Sequence, residues 1–437
     1  MRALLVIVIA ASIYTDLIGK THTVENVTLY ATLMAIALQF AVRRDFRVQL
    51  PELTFSLLLL VTYAAISMFV TAELVHFPRY DIWSSFVDLK VTLISWNLFF
   101  FAFFYGTRTA KEAQGLMKFL LLAVSAANLI TITNVAGITD IGIDTFGYDD
   151  PSNPRVKGIF GHENETGAML AALLPGYIAV VECQRGLIAR LFWIGAMMVS
   201  IAVLFMTSSR GAIVALLIGG AWGAYVCRRY LSMQRAMKWG MIALGVAVPV
   251  LAFVGYRYWD LLVRRLTGSS TTNVDELSSG RTELWIEGLG TMINKPSSLL
   301  IGYGWDTWVL LPFRYVPHNQ YLWLWFELGL VGVGCLIFAF RSSVVTALKA
   351  IKVAEGDSRR MLVGYVVGML ILAVGIFFAN LWIPWPYLWA YIALATRSAL
   401  SVLSVRQESS VNRPREQPAV PALPILRGAR GRANVSS

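Results

Sequence analysis

The sequence consists of apolar blocks, each about 17 to 20 residues long, separated by polar stretches. A block of this length can cross a hydrocarbon core of roughly 30 Å as a single helix. Only 14% of the 437 residues are charged, whereas soluble proteins carry roughly 25%. The alternating pattern of a membrane β-barrel is absent, so the sequence predicts an all-α integral membrane protein.

We predict about twelve transmembrane helices in a polytopic membrane domain at residues 1–400. The predicted spans are 3–19, 26–42, 53–72, 91–106, 116–134, 166–181, 191–206, 212–227, 239–256, 321–340, 361–380 and 382–400. Two long polar segments interrupt this domain, 135–165 and 257–320, the second between the ninth and tenth helices. Residues 401–437 hold several Pro and Arg residues and no apolar block, and we expect a disordered cytoplasmic tail there.

The charges of the loops predict which side of the membrane each one faces. Alternate loops place 25 basic and 8 acidic residues on one side, a net charge of +17, and leave −6 on the other. Basic residues collect in cytoplasmic loops, so we expect the first side, with both termini, in the cytoplasm. This asymmetry accounts for the overall charge of +11 without a nucleic-acid partner. The two long polar segments and all four histidines then lie outside.

Arg210 follows Thr207-Ser-Ser, with almost no loop between two spans. Ser208 or Ser209 can cap the next helix, whose first N–H groups then point at the outer interface. An arginine beside a helix N-terminus is suited to binding phosphate. The alternative is an arginine that only extends to the membrane interface.

Two more candidates lie in the segment 257–320. Arg281 begins a stretch with apolar residues at helical spacing, which predicts a helix on the membrane surface or over the bundle. His318 directly precedes the tenth span. The helix N-terminus and nearby arginines should keep its ring neutral near pH 7, able to accept a proton from a hydroxyl. The alternatives are a solvated arginine and a histidine in an interfacial aromatic belt.

Three further residues are candidates for substrate binding. Arg155 and His162 belong to a glycine-containing stretch that leads into the sixth span. Lys90, at the predicted outer end of the fourth span, is a candidate contact for a lipid phosphate. Its alternatives are extension to the interface and pairing with Asp88.

Several chemical signatures are missing from the sequence. There is no Asp-x-Asp pair near the first outer loop, no His-Glu-x-x-His, no phosphate loop with Lys and no Gly-x-Ser-x-Gly. The three cysteines have neither zinc spacing nor a disulfide framework. We therefore predict no metal and no cofactor. Charged residues deep inside the spans are scarce, which disfavours an ion-coupled transporter.

Four motifs together resemble the bacterial O-antigen ligase and polymerase superfamily, most of all the ligase. They are Arg155-x-x-Gly-x-x-Gly-His-x-Asn, Thr207-Ser-Ser-Arg-Gly, Ser279-Gly-Arg and His318-Asn-x-Tyr-Leu. Their order and the twelve-span layout match over nearly the whole chain. One departure is His162-Glu-Asn, which stands where the family pattern has an Asn-Pro-Asn-like turn.

The resemblance implies a glycosyltransferase C-like fold in the bacterial inner membrane, with its active site facing the periplasm. It implies transfer of O antigen from undecaprenyl diphosphate to the lipid A core oligosaccharide, without a divalent metal. Arg210 and Arg281 would stabilise the diphosphate leaving group, and His318 would orient or deprotonate the acceptor hydroxyl. Asn319 would hold nearby polar groups. Membrane lipid, the carrier-linked donor and the core acceptor are the implied partners.

Three other functions are also compatible with the sequence. An O-antigen or exopolysaccharide polymerase would join carrier-linked repeats, and the motifs hardly separate it from the ligase. A lipid-linked glycan transporter would need a polar cavity reachable from both sides, which the short basic cytoplasmic loops do not favour. A non-catalytic scaffold would leave the outer arginines and histidine without a role.

Overall fold

A computed structural model describes residues 1–14, 23–42, 50–140, 155–231, 280–312, 316–381 and 385–411. Helices dominate these residues, and none of them forms a β-strand. The helices in chain order are α1 (Arg2–Ile13), α2 (Thr23–Val42), α3 (Glu52–Val75), α4 (Ile82–Gly106), α5 (Ala110–Val135), α6 (Glu163–Cys183), α7 (Leu187–Met206), α8 (Arg210–Val226), α9 (Arg281–Ile293), α10 (Ser297–Ile301), α11 (Gln320–Val353), α12 (Gly356–Gly375) and α13 (Trp385–Val411).

The all-α membrane class predicted from the apolar blocks is confirmed. Within the described ranges, nine helices are long and apolar enough to cross a membrane, and α1 and α8 are shorter apolar helices. Helices suit these blocks because a backbone in hydrocarbon must satisfy its own hydrogen bonds. Eleven predicted spans coincide with helices, whereas the ninth, 239–256, lies outside the described residues. So do 141–154 and 257–279 of the outer segments.

Two predicted boundaries were wrong. The fourth span begins at Ile82 rather than at 91, so Lys90 lies inside α4 instead of at its outer end. The last helix continues to Val411, so the first part of the predicted tail is helical. No Gly or Pro occurs between Pro386 and Pro414, so nothing ends the helix at residue 400. Residues 412–437 lie outside the described residues.

Helix α12 packs closely between α6 and α8 because small residues line both contacts. A Cβ atom at Gly368 would lie 2.3 Å from the carbonyl oxygen of Ala172 in α6. A Cβ atom at Gly219 of α8 would lie 2.5 Å from the Cα atom of Ile371. Close backbone approach at small residues is a usual basis for helix association in membranes. This packing brings the outer ends of α6 and α8 together.

A kink at Gly329 divides α11, because that residue has a non-helical backbone with φ 61° and ψ −162°. The break frees the carbonyl groups of Phe326 and Glu327 from helical partners. Tyr303 N–H donates to Phe326 O at 2.9 Å, and Gly304 N–H donates to Glu327 O at 2.8 Å. A segment of the outer region, residues 301–308, thus inserts against α11 and fixes the outer half of this helix.

The kink generates a stability prediction. Replacing Gly329 with Ala places a Cβ atom 2.2 Å from the carbonyl oxygen of Leu300, at a left-handed φ. The strain should cost about 1–3 kcal/mol and lower the melting temperature of the purified protein. Gly334→Ala in the same helix is the control, because nothing lies within 4 Å of its added Cβ atom. Equal melting temperatures for the two variants would show that the kink is not a constrained position.

Candidate active site

Arg155 joins the beginning of α6 to the end of α7. Its guanidinium donates to Glu163 Oε1 at 2.5 Å, to Asn164 Oδ1 at 2.9 Å and to the carbonyl oxygen of Thr207 at 3.2 Å. The Arg155 and Glu163 side chains are only 13% and 3% exposed, so solvent screens the pair weakly. All three contacts lie within the protein, which makes Arg155 a residue that shapes the site.

The same network fixes the beginning of α8. Ser209 donates from its hydroxyl to Asn164 Oδ1 at 3.1 Å and accepts from the backbone N–H of Ala212 at 3.4 Å. Ser209 is therefore the cap, whereas Ser208 occupies a left-handed conformation with φ 51°. Arg210 is the first residue of α8 and is exposed. The helix N-terminus and the arginine charge thus occur together, as the sequence predicts.

Arg281 begins α9, and its guanidinium donates to the carbonyl oxygen of Phe378 at 3.1 Å. Burial lowers the pKa of Arg281, and the neighbouring Arg210 lowers it further, whereas Glu163 raises it. Arginine stays charged despite such shifts. These electrostatic partners place Arg281, Arg210 and Glu163 in one region. A Cβ atom at Gly211 would lie 2.4 Å from Phe378 Cβ, so glycine there makes room for the side chain of Phe378, the residue whose carbonyl oxygen binds Arg281.

His318 lies beside His162, with ring centroids 5.1 Å apart and ring planes 38° apart. Burial lowers the pKa of His318 to about 3, with further lowering by the charge of Arg281, by His162 and by Arg155. The ring is therefore neutral at pH 7, and burial is the largest cause. Its backbone is left-handed, with φ 47°, and the indole N–H of Trp285 in α9 donates to the adjacent Pro317 O at 2.7 Å.

The structure therefore brings five predicted residues into one cluster at the beginnings of α6, α8, α9 and α11, which the loop charges predict to face outward. We call this the outer cluster; its members are Arg155, His162, Arg210, Arg281 and His318. His162 also caps α6, because its Nδ1 atom accepts from the backbone N–H of Asn164 at 3.2 Å. Helix α9 contacts this region through Arg281 and Trp285.

Two other predicted residues have different surroundings. Asn319 caps α11, since its Oδ1 atom accepts from the backbone N–H groups of Tyr321 and Leu322, both at 3.1 Å. It is 4% exposed, so the described contacts of its side chain are those of a helix cap directly after His318. Lys90 donates to Asn26 Oδ1 of α2 at 3.3 Å. That contact lies on helices other than those that carry the outer cluster.

Sequence reasoning missed Glu163, the acidic residue of the site. It accepts from Arg155, its other carboxylate oxygen lies 3.8 Å from His162 Nδ1, and it acts electrostatically on Arg281. The available signal was an acidic residue in the first turn of an outward-facing helix beside two cationic side chains. An acidic side chain in the first turn interacts favourably with the helix dipole, and Glu163 also balances the charge of Arg155.

The outer cluster has the chemistry of a site for an anionic group with a nearby hydroxyl. Arg210 and Arg281 supply positive charge, and a neutral His318 supplies a hydrogen-bond acceptor or donor. Throughout the described ranges, no three His, Cys, Asp or Glu side chains are grouped so that they could hold a metal ion.

One protein-family model matches part of this chain. The family model described as O-antigen ligase matches residues 195–337, which extend from α7 into the first half of α11. Arg210, Arg281 and His318 lie inside the matched region, and Arg155 and His162 precede it. A comparison with curated proteins found no matching relative.

The Arg155–Glu163 pair generates the second prediction. Glu163→Gln removes the charge that balances Arg155 in a buried setting, which costs of order 3 kcal/mol. The purified variant should unfold at a lower temperature than the parent protein. Glu287→Gln is the control, because Glu287 is an exposed carboxylate on α9. A Glu163→Gln protein as stable as this control would mean that the pair does not anchor α6 to α7.

Proposed function

From the O-antigen ligase domain in residues 195–337, we propose that this protein is a glycosyltransferase that transfers O antigen from undecaprenyl diphosphate to the lipid A core oligosaccharide. The convergence of Arg210, Arg281 and a neutral His318 on one outer region carries the proposal. Two cations and a hydrogen-bonding imidazole match the two requirements of the reaction, a diphosphate leaving group and an attacking hydroxyl.

The arginines act on the donor. As the bond between the anomeric carbon and the diphosphate breaks, negative charge develops on the leaving oxygen. Arg210 and Arg281 stabilise this charge more in the transition state than in the ground state, and that difference accelerates the reaction. The Arg281 guanidinium is held before the donor binds by Phe378 O, and the capped first turn of α8 fixes the backbone of Arg210.

His318 acts on the acceptor. Its neutral ring accepts a hydrogen bond from the attacking hydroxyl and orients the oxygen toward the anomeric carbon. Burial, and in addition the charges of Arg281 and Arg155, disfavour the protonated ring, so His318 alone is a weak base. A bound diphosphate brings negative charge beside those arginines, which raises the proton affinity of His318 when the donor is present. Proton removal is thus coupled to occupancy of the donor site.

The proposed site faces the periplasm of a bacterial inner membrane. The net charges of +17 and −6 on the two sides support this orientation. The prenyl chain of the donor stays in the bilayer, so the donor enters laterally between the helices that surround the outer cluster. Helix α9, in the described part of the segment 257–320, would cover the site from outside.

Complementation tests the choice between ligase and polymerase. We expect the gene to restore O-antigen ladders on lipid A core in a ligase-deficient strain, read as lipopolysaccharide bands on a gel. It should not restore chain elongation in a polymerase-deficient strain. The reverse pattern would assign the chain to the polymerases, and failure in both strains would contradict the proposed reaction.

Substitutions of the three proposed catalytic residues should have different effects on transfer and on donor binding. Arg210→Ala and Arg281→Ala should each lower the transfer rate of order 10²-fold or more, because each removes positive charge from beside the proposed leaving group. Lys at either position should restore part of the rate, since it keeps the charge but loses the planar guanidinium. His318→Ala should abolish transfer and spare binding of the carrier diphosphate.

The measurement pairs a transfer assay with carrier-diphosphate binding for each purified variant. Lys295→Ala is the matched control, because Lys295 is an exposed cation of the same outer region whose ammonium lies 5.7 Å from the Tyr303 ring centroid. Full transfer by either Arg variant would remove that arginine from the site. Loss of donor binding in His318→Ala would move the histidine to the phosphate side.

We also predict that transfer needs no divalent ion, because the arginines supply the positive charge that a metal would otherwise provide. The purified protein with carrier-linked donor and core acceptor should keep its rate in excess EDTA. A rate that EDTA abolishes and Mg²⁺ or Mn²⁺ restores would contradict this prediction.

A further inference from the structure

A second group of arginines surrounds a cavity that shares no residue with the outer cluster. The cavity has a volume of about 660 Å³ and lies at the ends of α4, α5, α11, α12 and α13. Arg108, Arg397 and Arg406 line it together with Ser358, Ser401 and Ser404. Charge places these helix ends on the cytoplasmic side, so this cavity is separate from the proposed reaction.

Two of these arginines are held in place by the protein. Arg397 donates to the carbonyl oxygen of Arg108 at 3.1 Å, and its guanidinium carbon lies 5.5 Å from the centroid of the Phe104 ring. Arg108 donates through one guanidinium nitrogen to Gln39 Oε1 of α2 at 3.0 Å. A guanidinium fixed in this way loses little conformational entropy when it binds an anion.

Two helix N-termini reach the same cavity. Thr109 and Ala110 at the beginning of α5 line it, and so do Glu355 and Ser358 at the beginning of α12. The first turn of α12 has no hydrogen bond from a capping side chain. Helix N-termini favour anions, so the helix dipoles and the arginines act in the same direction.

The acidic residues nearby do not cancel this charge. Glu355 is the carboxylate in the lining. Glu112, close to Arg397, accepts from Arg2 at 2.7 Å and from the backbone N–H of Arg108 at 2.9 Å. Residues 412–437 contain five arginines and one glutamate. That stretch therefore has the wrong charge to complement the cavity, and an external anion fits better.

We propose that this cavity binds the phosphodiester headgroup of an anionic phospholipid from the cytoplasmic leaflet. The chemistry it recognises is a phosphate oxyanion, bound by the three arginines and hydrogen-bonded by the serines. Val353, Val402 and Val405 supply an apolar part of the lining, which suits the glycerol and first acyl carbons. The position at the ends of membrane spans favours a lipid over free phosphate, because basic pockets between helices on this side are suited to lipid headgroups. A bound headgroup would tie the end of α13 to the loops before α5 and α12.

Native mass spectrometry of the full chain in detergent tests the proposal. The protein is titrated separately with dioleoylphosphatidylglycerol, dioleoylphosphatidylcholine and inorganic phosphate. We expect phosphatidylglycerol to bind roughly ten-fold or more tightly than either other probe. The double variant Arg108→Gln with Arg397→Gln should lose that preference, whereas Arg228→Gln, an exposed arginine that does not line the cavity, should keep it.

A second variant tests the cavity independently if the double variant folds poorly. Ser401→Glu keeps all three arginines and places a negative charge in the cavity, so it should weaken phosphatidylglycerol binding ten-fold or more. The melting temperature without added lipid shows whether each variant is folded. Unchanged phosphatidylglycerol binding in Ser401→Glu overturns the site. Equal binding of phosphatidylcholine overturns the charge argument, and equally tight binding of inorganic phosphate overturns the lipid assignment.

Discussion

Every polar backbone group in the bilayer needs a partner within the protein, and this constraint decides where the chain can bend. The kink of α11 shows how the constraint is met. Gly329 breaks the helix, and the freed carbonyl groups of Phe326 and Glu327 accept from Tyr303 and Gly304. Residues 301–308 therefore pack against α11 and supply these hydrogen-bond donors. This packing brings α9 and α10 over the bundle, and α9 carries Arg281.

The outer cluster depends on a second constraint, the cost of an unbalanced buried charge. Arg155 is held by Glu163, Asn164 and Thr207 O, so the ends of α6 and α7 meet around one guanidinium. Ser209 bonds to the same Asn164 and caps α8, which sets the position of Arg210. Glu163 and Asn164 bind Arg155 within the protein, while Arg210 and Arg281 begin α8 and α9 in the same region.

The protein has two groups of arginines with different neighbours: the outer cluster, and an inner group that lines the second cavity and consists of Arg108, Arg397 and Arg406. The outer cluster combines arginines with histidines, and burial, together with the charge of Arg281 and Arg155, lowers the pKa of His318 to about 3. The inner group combines arginines with serines and valines and has no histidine in its lining. The first arrangement suits a reaction with a hydroxyl and an anionic leaving group. The second suits retention of an anionic headgroup, because it offers positive charge and hydroxyl donors.

Much of the membrane fold was predictable from the sequence because hydrocarbon tolerates few structures. Apolar blocks of sufficient length form helices whatever their neighbours, so eleven predicted spans coincide with helices. The start of α4 was not predictable, since Ile82, Trp83 and Phe86 lie among the polar residues Asp81 and Asp88. Placing Lys90 at the end of a span was wrong for that reason.

The sequence by itself determined the residue types of the candidate site and the helix ends on which they lie. Ionisable and strongly polar groups are costly in hydrocarbon, so residues such as Arg210 and His318 had to lie near span ends. Tertiary structure alone decided which of them meet. Only the folded chain joins Glu163 to Arg155, chooses Ser209 over Ser208 as the cap and turns Asn319 toward the backbone of α11. These outcomes depend on contacts between residues distant in the chain or on a particular turn geometry, and spacing along a sequence does not encode either.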